Sequence, residues 1–392
     1  MFSNFTYFLS DSLHGDQFEQ ADERVVTGLR VSHVSGDPAF QQTIGVDIRH
    51  DNIAHVGLYH TEARRRLALI RGDHVTESNA SPYVQSDVTW MPRVRTVLGV
   101  RADAYRFSVA SSYLPYSGDD ITGLVSPKAS LVLGPWGPLD LYANGGSASI
   151  RTMFAGHASP QCRLQGTQGA PEHFPVPGGP PIEASPLLVR TQGAEIGARL
   201  TGGRRWSASV SNWGLDIASE TVFIGDAGLT EPSRPSRRTG IELTGEVRPL
   251  DLVSMDADLA YSRARFRDQD PAGDRIPGSV EGVISAGIQY EHPSREFAGL
   301  RVRYFGPRPL IEDNSVRSRA STILNMELGY RAHGRWAVAL EVFNLLDRAV
   351  SDVDYYYTSR LPGEPAEGIA DVHTHPQEPR TLRVVFSTGS LL

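Results

Sequence analysis

Cysteine is nearly absent from this sequence. Cys162 stands alone, so no intramolecular disulfide can form and no cysteine-based metal centre can be assembled. Lysine is as scarce: of the 38 basic residues only Lys128 is lysine, a skew that marks a GC-rich coding sequence. Long apolar runs are missing too. No stretch approaches the ~18 consecutive apolar residues of a membrane-spanning helix, and apolar residues make up only 40% of the 392. The amino terminus, MFSNFTYFLSDSLHGDQFEQ, has no basic region followed by an apolar one, so it does not read as a secretory signal. The formal charge of −7 is modest and unclustered, which leaves no basic footprint for nucleic acid. No GxSxG elbow, phosphate loop, HExxH or paired-cysteine motif occurs, so neither an enzyme nor a resident cofactor is expected.

What the sequence does contain is alternation. In GIELTGEV, Ile241, Leu243 and Val247 alternate with Glu242, Thr244 and Glu246. Beyond Arg248-Pro249-Leu250 the pattern resumes, with Val253, Met255, Ala257, Leu259 and Tyr261 on one face and Ser254, Asp256, Asp258 and Ser262 on the other. Residues 94–104, 336–342 and 44–49 read the same way, and helical spacing is hard to find anywhere. A period of two over ten or more residues predicts long strands facing two different environments. Short and long connections take turns along the chain. Short links fall near Pro92, Pro135–Gly137, Gly202-Gly203, Pro249, His292-Pro293 and His333-Gly334; long ones cover 110–126, 147–190, 218–237, 267–280, 307–320 and 347–379.

An antiparallel up-and-down meander puts all short turns at one end and all long loops at the other, the plan of a transmembrane β-barrel. A soluble sandwich or propeller also alternates. Against it stand the heavily charged polar face, strand lengths sufficient to cross a bilayer at a tilt, and the lack of a blade-length repeat. The fold class is therefore all-β, with roughly 16 strands and an ion-lined interior.

The motifs then resemble one family, the TonB-dependent outer-membrane receptors. EVFNLL, ending in Asn344-Leu345, resembles the family's penultimate strand. SPKASLVLGPWGPLDLYANGG (Ser126–Gly146) resembles a characteristic hairpin of the family, and RYFGPRPL (Arg303–Leu310) an aromatic-glycine strand end. GDAGLTEPSRPSRRTGIE (225–242), RPLIEDNSVRS (308–318) and DYYYTSRLPGEP (354–365) look like signatures of one subgroup. The resemblance implies a 22-stranded barrel with a plugged lumen, set in the Gram-negative outer membrane among lipid and lipopolysaccharide. It also implies uptake of a scarce ligand, a metal chelate or a small organic nutrient, driven by TonB through the plug. Residues 1–392 then correspond to the carboxy-terminal part of the barrel, roughly 16 of 22 strands, with the plug and first strands expected to be missing.

Residues 147–186 break the pattern: they are rich in proline and glycine and hold the lone cysteine. Related receptors continue here with a glycine, aromatic, histidine and Ser-Asn-Asp segment. In GC-rich codons, Gly-Phe-Gly-Phe-His-Ser-Asn-Asp-Val-Arg with one T deleted from its first phenylalanine codon becomes Gly-Ser-Ala-Ser-Ile-Arg-Thr-Met-Phe, the sequence of Gly146–Phe154. The expectation is a frameshifted outer loop, restored near residues 183–187; the alternative is an aberrant insert or an ordinary outer loop of unusual composition.

Candidate ligand-binding residues lie in the last long loop: Tyr355, Tyr356, Tyr357, Arg360, His373 and His375. The tyrosines suit an aromatic girdle or a cargo-contacting loop equally. His373 and His375, with Asp371 and Glu378, have the donor types to ligate a metal carried by a substrate, although a structural loop is the better reading and no metal site is assigned. His50, His55 and His60, at spacings that place His50 and His60 on one face, read as lumen-facing or solvated. Arg234, Arg237 and Arg238 are candidates for lipopolysaccharide phosphates or an anionic cargo, with a solvated loop the safer reading. The remaining alternatives are a passive porin-like pore and a soluble β-rich binding module; a barrel phospholipase is disfavoured for want of a nucleophile and base.

Overall fold

The structure, a computed structural model, describes residues 2–10, 17–112, 117–151, 188–224, 229–232, 234–332, 336–359, 363–365 and 367–388. The described residues contain no helix. The first strands are β1 (Phe2–Ser10), β2 (Gln17–Gly36), β3 (Phe40–Glu62), β4 (Arg65–Met91), β5 (Val94–Ser111), β6 (Gly118–Trp136) and β7 (Leu139–Arg151). Next come β8 (Leu188–Gly202), β9 (Trp206–Ile217), β10 (Thr221–Ile224), β11 (Leu229–Pro232), β12 (Ser236–Leu250) and β13 (Val253–Phe266). The chain continues through β14 (Gly282–Glu291), β15 (Glu296–Phe305), β16 (Ser321–Ala332), β17 (Trp336–Phe343), β18 (Ser351–Ser359), β19 (Ile369–Pro376) and β20 (Thr381–Thr388).

Sixteen of these strands form one antiparallel sheet in chain order, from β1 at one edge to β20 at the other, without pairing between the two edges among the described residues. The remaining four form two separate hairpins, β10–β11 and β18–β19, within outer loops. Short turns at 37–39, 92–93, 137–138, 203–205, 251–252 and 292–295 collect at one end, as expected, while the short Ala63-Arg64 turn joining β3 to β4 lies at the other. Two connections differ from the sequence reading. The loop expected over 110–126 shrinks to 112–117, because Gly118–Ser126 extend β6 and pair with β5. Ser147–Arg151, read as pattern-breaking, continue β7 and pair with Gln192–Leu188 of β8; a backbone ladder needs only N–H and C=O groups, so side-chain composition did not forbid it. The rest of the 147–186 segment, from 152 on, lies outside the described residues.

Paired residues share a face, so transverse rows reveal the two environments. Val210, Leu243, Leu259 and Ile284 form one row and are all exposed on the outer face. One residue along, Ser209, Thr244, Asp258 and Ser285 form the inner row. Along these rows the apolar side chains thus face away from the polar ones, while apolar side chains elsewhere do gather in small buried clusters, such as Ile53, Val75, Phe107 and Val109. At the short-turn end, Trp90, Trp136, Trp206, Tyr290, Tyr330 and Trp336 are exposed within a few residues of the turns, an aromatic girdle at one rim. Strands β2–β5 far exceed what a bilayer requires: β4 has 27 residues, about 90 Å at ~3.3 Å per residue, so the wall continues well beyond the long-loop rim.

Aromatic rings on the inner face lie flat over glycines of the neighbouring strand. A Cβ on Gly197 would sit 2.4 Å from the Tyr142 ring and 2.6 Å from the Val210 carbonyl oxygen, and one on Gly45 would sit 2.5 Å from Tyr83. Tyr142 then donates its hydroxyl hydrogen to Glu195 Oε1 at 3.0 Å. These glycines are vacancies that the rings fill, so the inner wall stays smooth. Gly197→Val is expected to displace Tyr142 and cost about 1–3 kcal/mol, read as a lower unfolding midpoint in detergent; Gly245→Val, where the nearest atom to an added Cβ is 3.9 Å away, is expected to cost less.

Candidate functional site

The inner wall is built from a repeated local unit. Arg49-His-Asp51, Arg71-Gly-Asp73 and Arg101-Ala-Asp103 each place arginine and aspartate two apart on one strand, hence on one face about 7 Å apart. An arginine stem spans that distance. The pairs close at 2.6 Å for Arg49–Asp51, 2.6 Å for Arg71–Asp73 and 2.8 Å for Arg101–Asp103. Arg101 also reaches Asp47 on β3 at 2.7 Å, and Asp47 takes Arg30 of β2 at 2.7 Å, so β2, β3 and β5 are laced across the inner face, over the intervening β4. Sequence reasoning missed this lattice, although the signal was present as Arg-x-Asp on three successive strands. A cavity of about 480 Å³ opens over it, lined by Tyr83, Tyr105, Ser126 and Lys128 as well as the lattice.

The long loops over β12–β20 are tied together by arginines. Arg234 donates to Asp268 at 2.7 Å, to Glu312 at 3.2 Å and to the Gly273 carbonyl at 2.9 Å, with its guanidinium 4.3 Å over the Phe266 ring. Arg237 pairs with Asp216 at 2.7 Å and Arg238 with Glu220 at 2.9 Å. Each of these three guanidiniums faces a carboxylate, an arrangement in keeping with the loop reading preferred over a phosphate or anionic-cargo site. Arg308 joins the 306–320 loop to β18, donating to the Asp352 carbonyl at 2.9 Å and facing the buried Asp354 at 3.6 Å.

Asn344 closes the last loop. The strand ends there because Asn344 adopts a left-handed conformation, φ 48°, which asparagine tolerates better than most residues. Its side chain, in a residue only 2% exposed, grips both arms of the loop. Nδ2 donates to the carbonyls of Arg348 at 2.9 Å and Glu378 at 3.2 Å, while Oδ1 accepts from the Arg348 N–H at 3.0 Å. From this clamp rises the β18–β19 hairpin carrying the candidate ligand residues. Its register pairs Tyr355 with His373, Tyr357 with Asp371 and Val353 with His375, so Tyr355, Tyr357, His373 and His375 share one face. Tyr356 lies on the other, with Asp354. Tyr357 stacks on His373 with ring centroids 3.8 Å apart.

Arg360 lies outside the described residues. The three tyrosines stand on a hairpin separate from the 16-stranded sheet, which removes them from the wall's girdle. Among the described residues no group of three or more His, Cys, Asp or Glu is placed to hold a metal ion, so the quartet of Asp371, His373, His375 and Glu378 does not converge. Nor do His50, His55 and His60. One extra residue on β3 between Ile53 and Val56 breaks the parity that spacing implied, so His50 and His60 fall on opposite faces. His55 instead bonds Tyr59 at 2.5 Å and His50 bonds Ser78 at 2.8 Å.

A family model described as TonB-dependent receptor-like, β-barrel matches residues 2–345. The chain belongs to the TonB-dependent receptor-like β-barrel family. Among solved structures, it resembles FyuA, the ferric yersiniabactin uptake receptor of Yersinia pestis, with a TM-score of 0.67 at 16% identity over 95% of this chain and 54% of that one. The copper transporter OprC gives 0.68 at 17% identity, covering 95% and 57%. The siderophore receptor PiuA of Acinetobacter baumannii gives 0.68 at 12%, covering 98% and 60%. This TonB-dependent receptor-like chain thus spans between half and two thirds of the length of these structures, and identities this low show the fold alone. One curated protein, the HTH-type transcriptional regulator BhcR of Paracoccus denitrificans, is 28% identical over 147 residues, 34% of this chain and 52% of that protein. A helix-turn-helix requires two helices, and the described residues hold none, so that likeness does not extend to the fold.

Asn344→Ala leaves buried backbone groups on both loop arms without partners, each costing about 1–3 kcal/mol. Limited proteolysis in detergent is expected to cut within 345–380 at least several-fold faster, with the β12–β13 hairpin unaffected. A second expectation concerns pH at the far tip of the wall. Arg66 donates to both Glu19 oxygens, at 2.7 and 2.6 Å, and holds the Glu19 carboxyl below its ordinary 4.5. A depressed folded pKa means the pair stabilises above the ordinary carboxylate range and is lost as pH falls through the lowered value. Hydrogen exchange at 58–70 should therefore accelerate on acidification from pH 6 to 3 in the native chain. In Glu19→Gln the rates, corrected for intrinsic exchange, should be insensitive over that range.

Proposed function

We propose that the chain forms barrel wall and ligand-facing loops of an outer-membrane receptor that takes up a scarce ligand, a metal chelate or small organic nutrient, in a Gram-negative envelope. The observation that carries this reading is the two-faced wall: a largely apolar outer surface backed by a laced, ion-lined inner one, in a chain of this family. The structural neighbours, a ferric yersiniabactin uptake receptor, a copper transporter and a siderophore receptor, support the ligand class. Recognition falls to the Arg308-anchored hairpin face bearing Tyr355, Tyr357, His373 and His375, aromatic and imidazole groups suited to a planar or metal-bearing cargo. Lipopolysaccharide would surround the outer rim. Directional uptake in this scheme couples ligand-bound loops to movement of a plug contacted by TonB; the wall and loops supply the ligand-sensing half of that coupling.

The polar lining equally favours a passive pore as a second reading, distinguished by steady conductance of the refolded chain in planar bilayers. For residues 147–186 we infer a shifted reading frame. Translating the gene in its other frames across this window checks it, and finding no Ser-Asn-Asp segment in either would refute it.

Expressed behind a secretion signal, the chain should fractionate with outer membranes and need detergent for extraction; a detergent-free soluble monomer would overturn the receptor reading. The face assignment has its own test. Leu243→Arg places a charge in hydrocarbon at a cost of about 2–4 kcal/mol near mid-bilayer and should block refolding into lipid vesicles. Thr244→Arg, one residue along and inward, should refold like the parent.

A further inference from the structure

The cavity of about 480 Å³ over the Arg-x-Asp lattice, within the roughly 300–1,000 Å³ range of small-molecule sites, holds polar groups that the lattice does not use. Register places its floor. Tyr83, Arg101 and Ser126 form one transverse row, and Gln85, Gly99 and Lys128 form the next row on the same face. That face is the inner one, because the second row runs on through Gly146, Gly193 and Leu215, which shares its side of β9 with Ser209. The site lies about 26 Å along β5 from the 92–93 turn, within the wall and not among the outer loops.

Charge there is unbalanced. Arg101 closes on Asp47 at 2.7 Å and on Asp103 at 2.8 Å, and Arg30 closes on Asp47 at 2.7 Å, so the arginines occupy both carboxylates of the cavity. Lys128, the chain's single lysine, has no ion pair or side-chain hydrogen bond among the described residues. Its stem lies across Gly99, where an added Cβ would meet Cε at 2.7 Å and Cγ at 3.1 Å, which carries the ammonium over β5 towards Gln85. Gln85 likewise makes no side-chain hydrogen bond among the described residues. Ser126 is a second, independent observation. It is 8% exposed, and its Oγ is closed off from solvent without a hydrogen-bond partner. A buried hydroxyl in that state is costly and calls for an acceptor.

Resting on the uptake reading above and naming its cargo class, we propose that this inner-wall cavity binds a small organic molecule through one carboxylate. One oxygen accepts from the Lys128 ammonium and the Gln85 amide. The other accepts from the Ser126 hydroxyl as the Lys128 arm, two residues along the same face, moves to meet the ligand. The rest of the molecule lies along the Tyr83 and Tyr105 rings that line the cavity. One uncompensated cation matches one carboxylate, whereas a phosphate dianion calls for guanidinium forks that Asp47 and Asp103 already fill. The wall thereby holds cargo at a station separate from the β18–β19 hairpin.

Because Lys128 is the only lysine, reductive methylation of the full chain with carbon-13, after refolding in neutral detergent, gives one side-chain signal apart from the terminal amine. At constant ionic strength the labelled chain is titrated separately with benzoate, its neutral isostere benzamide, or inorganic phosphate, and the signal is followed by NMR. Benzoate is expected to shift it saturably, benzamide to leave it in place, and phosphate to bind at least fivefold more weakly. Ser126→Ala and Gln85→Ala should each raise the benzoate midpoint at least threefold. Ser126→Ala should do so without lowering the thermal unfolding midpoint, whereas a serine that serves structure alone would lower it and leave binding untouched. A linear, unsaturable response to benzoate overturns the proposal, as do equal responses to benzoate and benzamide, phosphate binding as tight as benzoate, or a parental midpoint in folded Ser126→Ala. Should the variants fail to fold, the comparison of three ligands on the parent chain decides. Saturable benzoate binding by a chain that fractionates as soluble protein removes the uptake reading and keeps the carboxylate site; a chain extracted from outer membranes that does not select benzoate loses only the site.

Discussion

A polypeptide backbone in hydrocarbon must satisfy each N–H and C=O within the protein, and everything else about this chain follows from that constraint. Sixteen strands in chain order with neighbour-only pairing are the simplest way to meet it, because each strand bonds only to those before and after it. Once the ladders are fixed, side chains alternate, and each strand must serve lipid and water at once. The exposed row of Val210, Leu243, Leu259 and Ile284, backed by Ser209, Thr244, Asp258 and Ser285, is that requirement written across four strands.

The inner face meets a second demand, since charges in a lumen must be numerous enough to keep it wet yet restrained enough not to repel one another. The Arg-x-Asp units answer locally, within a single strand, and Asp47 extends the answer across strands by accepting from both Arg30 and Arg101. The same economy of arginine and carboxylate reappears in the loops, where Arg234 and Arg308 tie separate excursions of the chain together. The loops are therefore a jointed surface continuous with the wall, and the clamp at Asn344 sets where that surface begins.

Most of the wall was legible in the sequence because a period of two is a one-dimensional signal. Strand number, the short-turn end and the strand stop at Asn344 could all be read from alternation and turn residues. What escaped was whatever depends on register. The histidines at 50, 55 and 60 were assigned faces by counting, but a bulge between Ile53 and Val56 resets the count. The carboxylate partners of Arg234, Arg237 and Arg238 could not be read at all, because Asp268, Asp216 and Glu220 arrive from other segments. Tyr355, Tyr357, His373 and His375 were picked by residue type and share a face only once the hairpin register is known.

The rings seated over glycines have a consequence for how such a wall drifts through evolution. Gly45 with Tyr83, Gly197 with Tyr142 and Gly240 with Trp213 are lock-and-key couples on adjacent strands. Neither member can grow or shrink alone without leaving a collision or a hole. Lineages descending from a common ancestor should therefore exchange these positions jointly, so that a smaller residue replaces the ring wherever the glycine is lost, while the lipid-facing positions between them wander freely among aliphatic side chains.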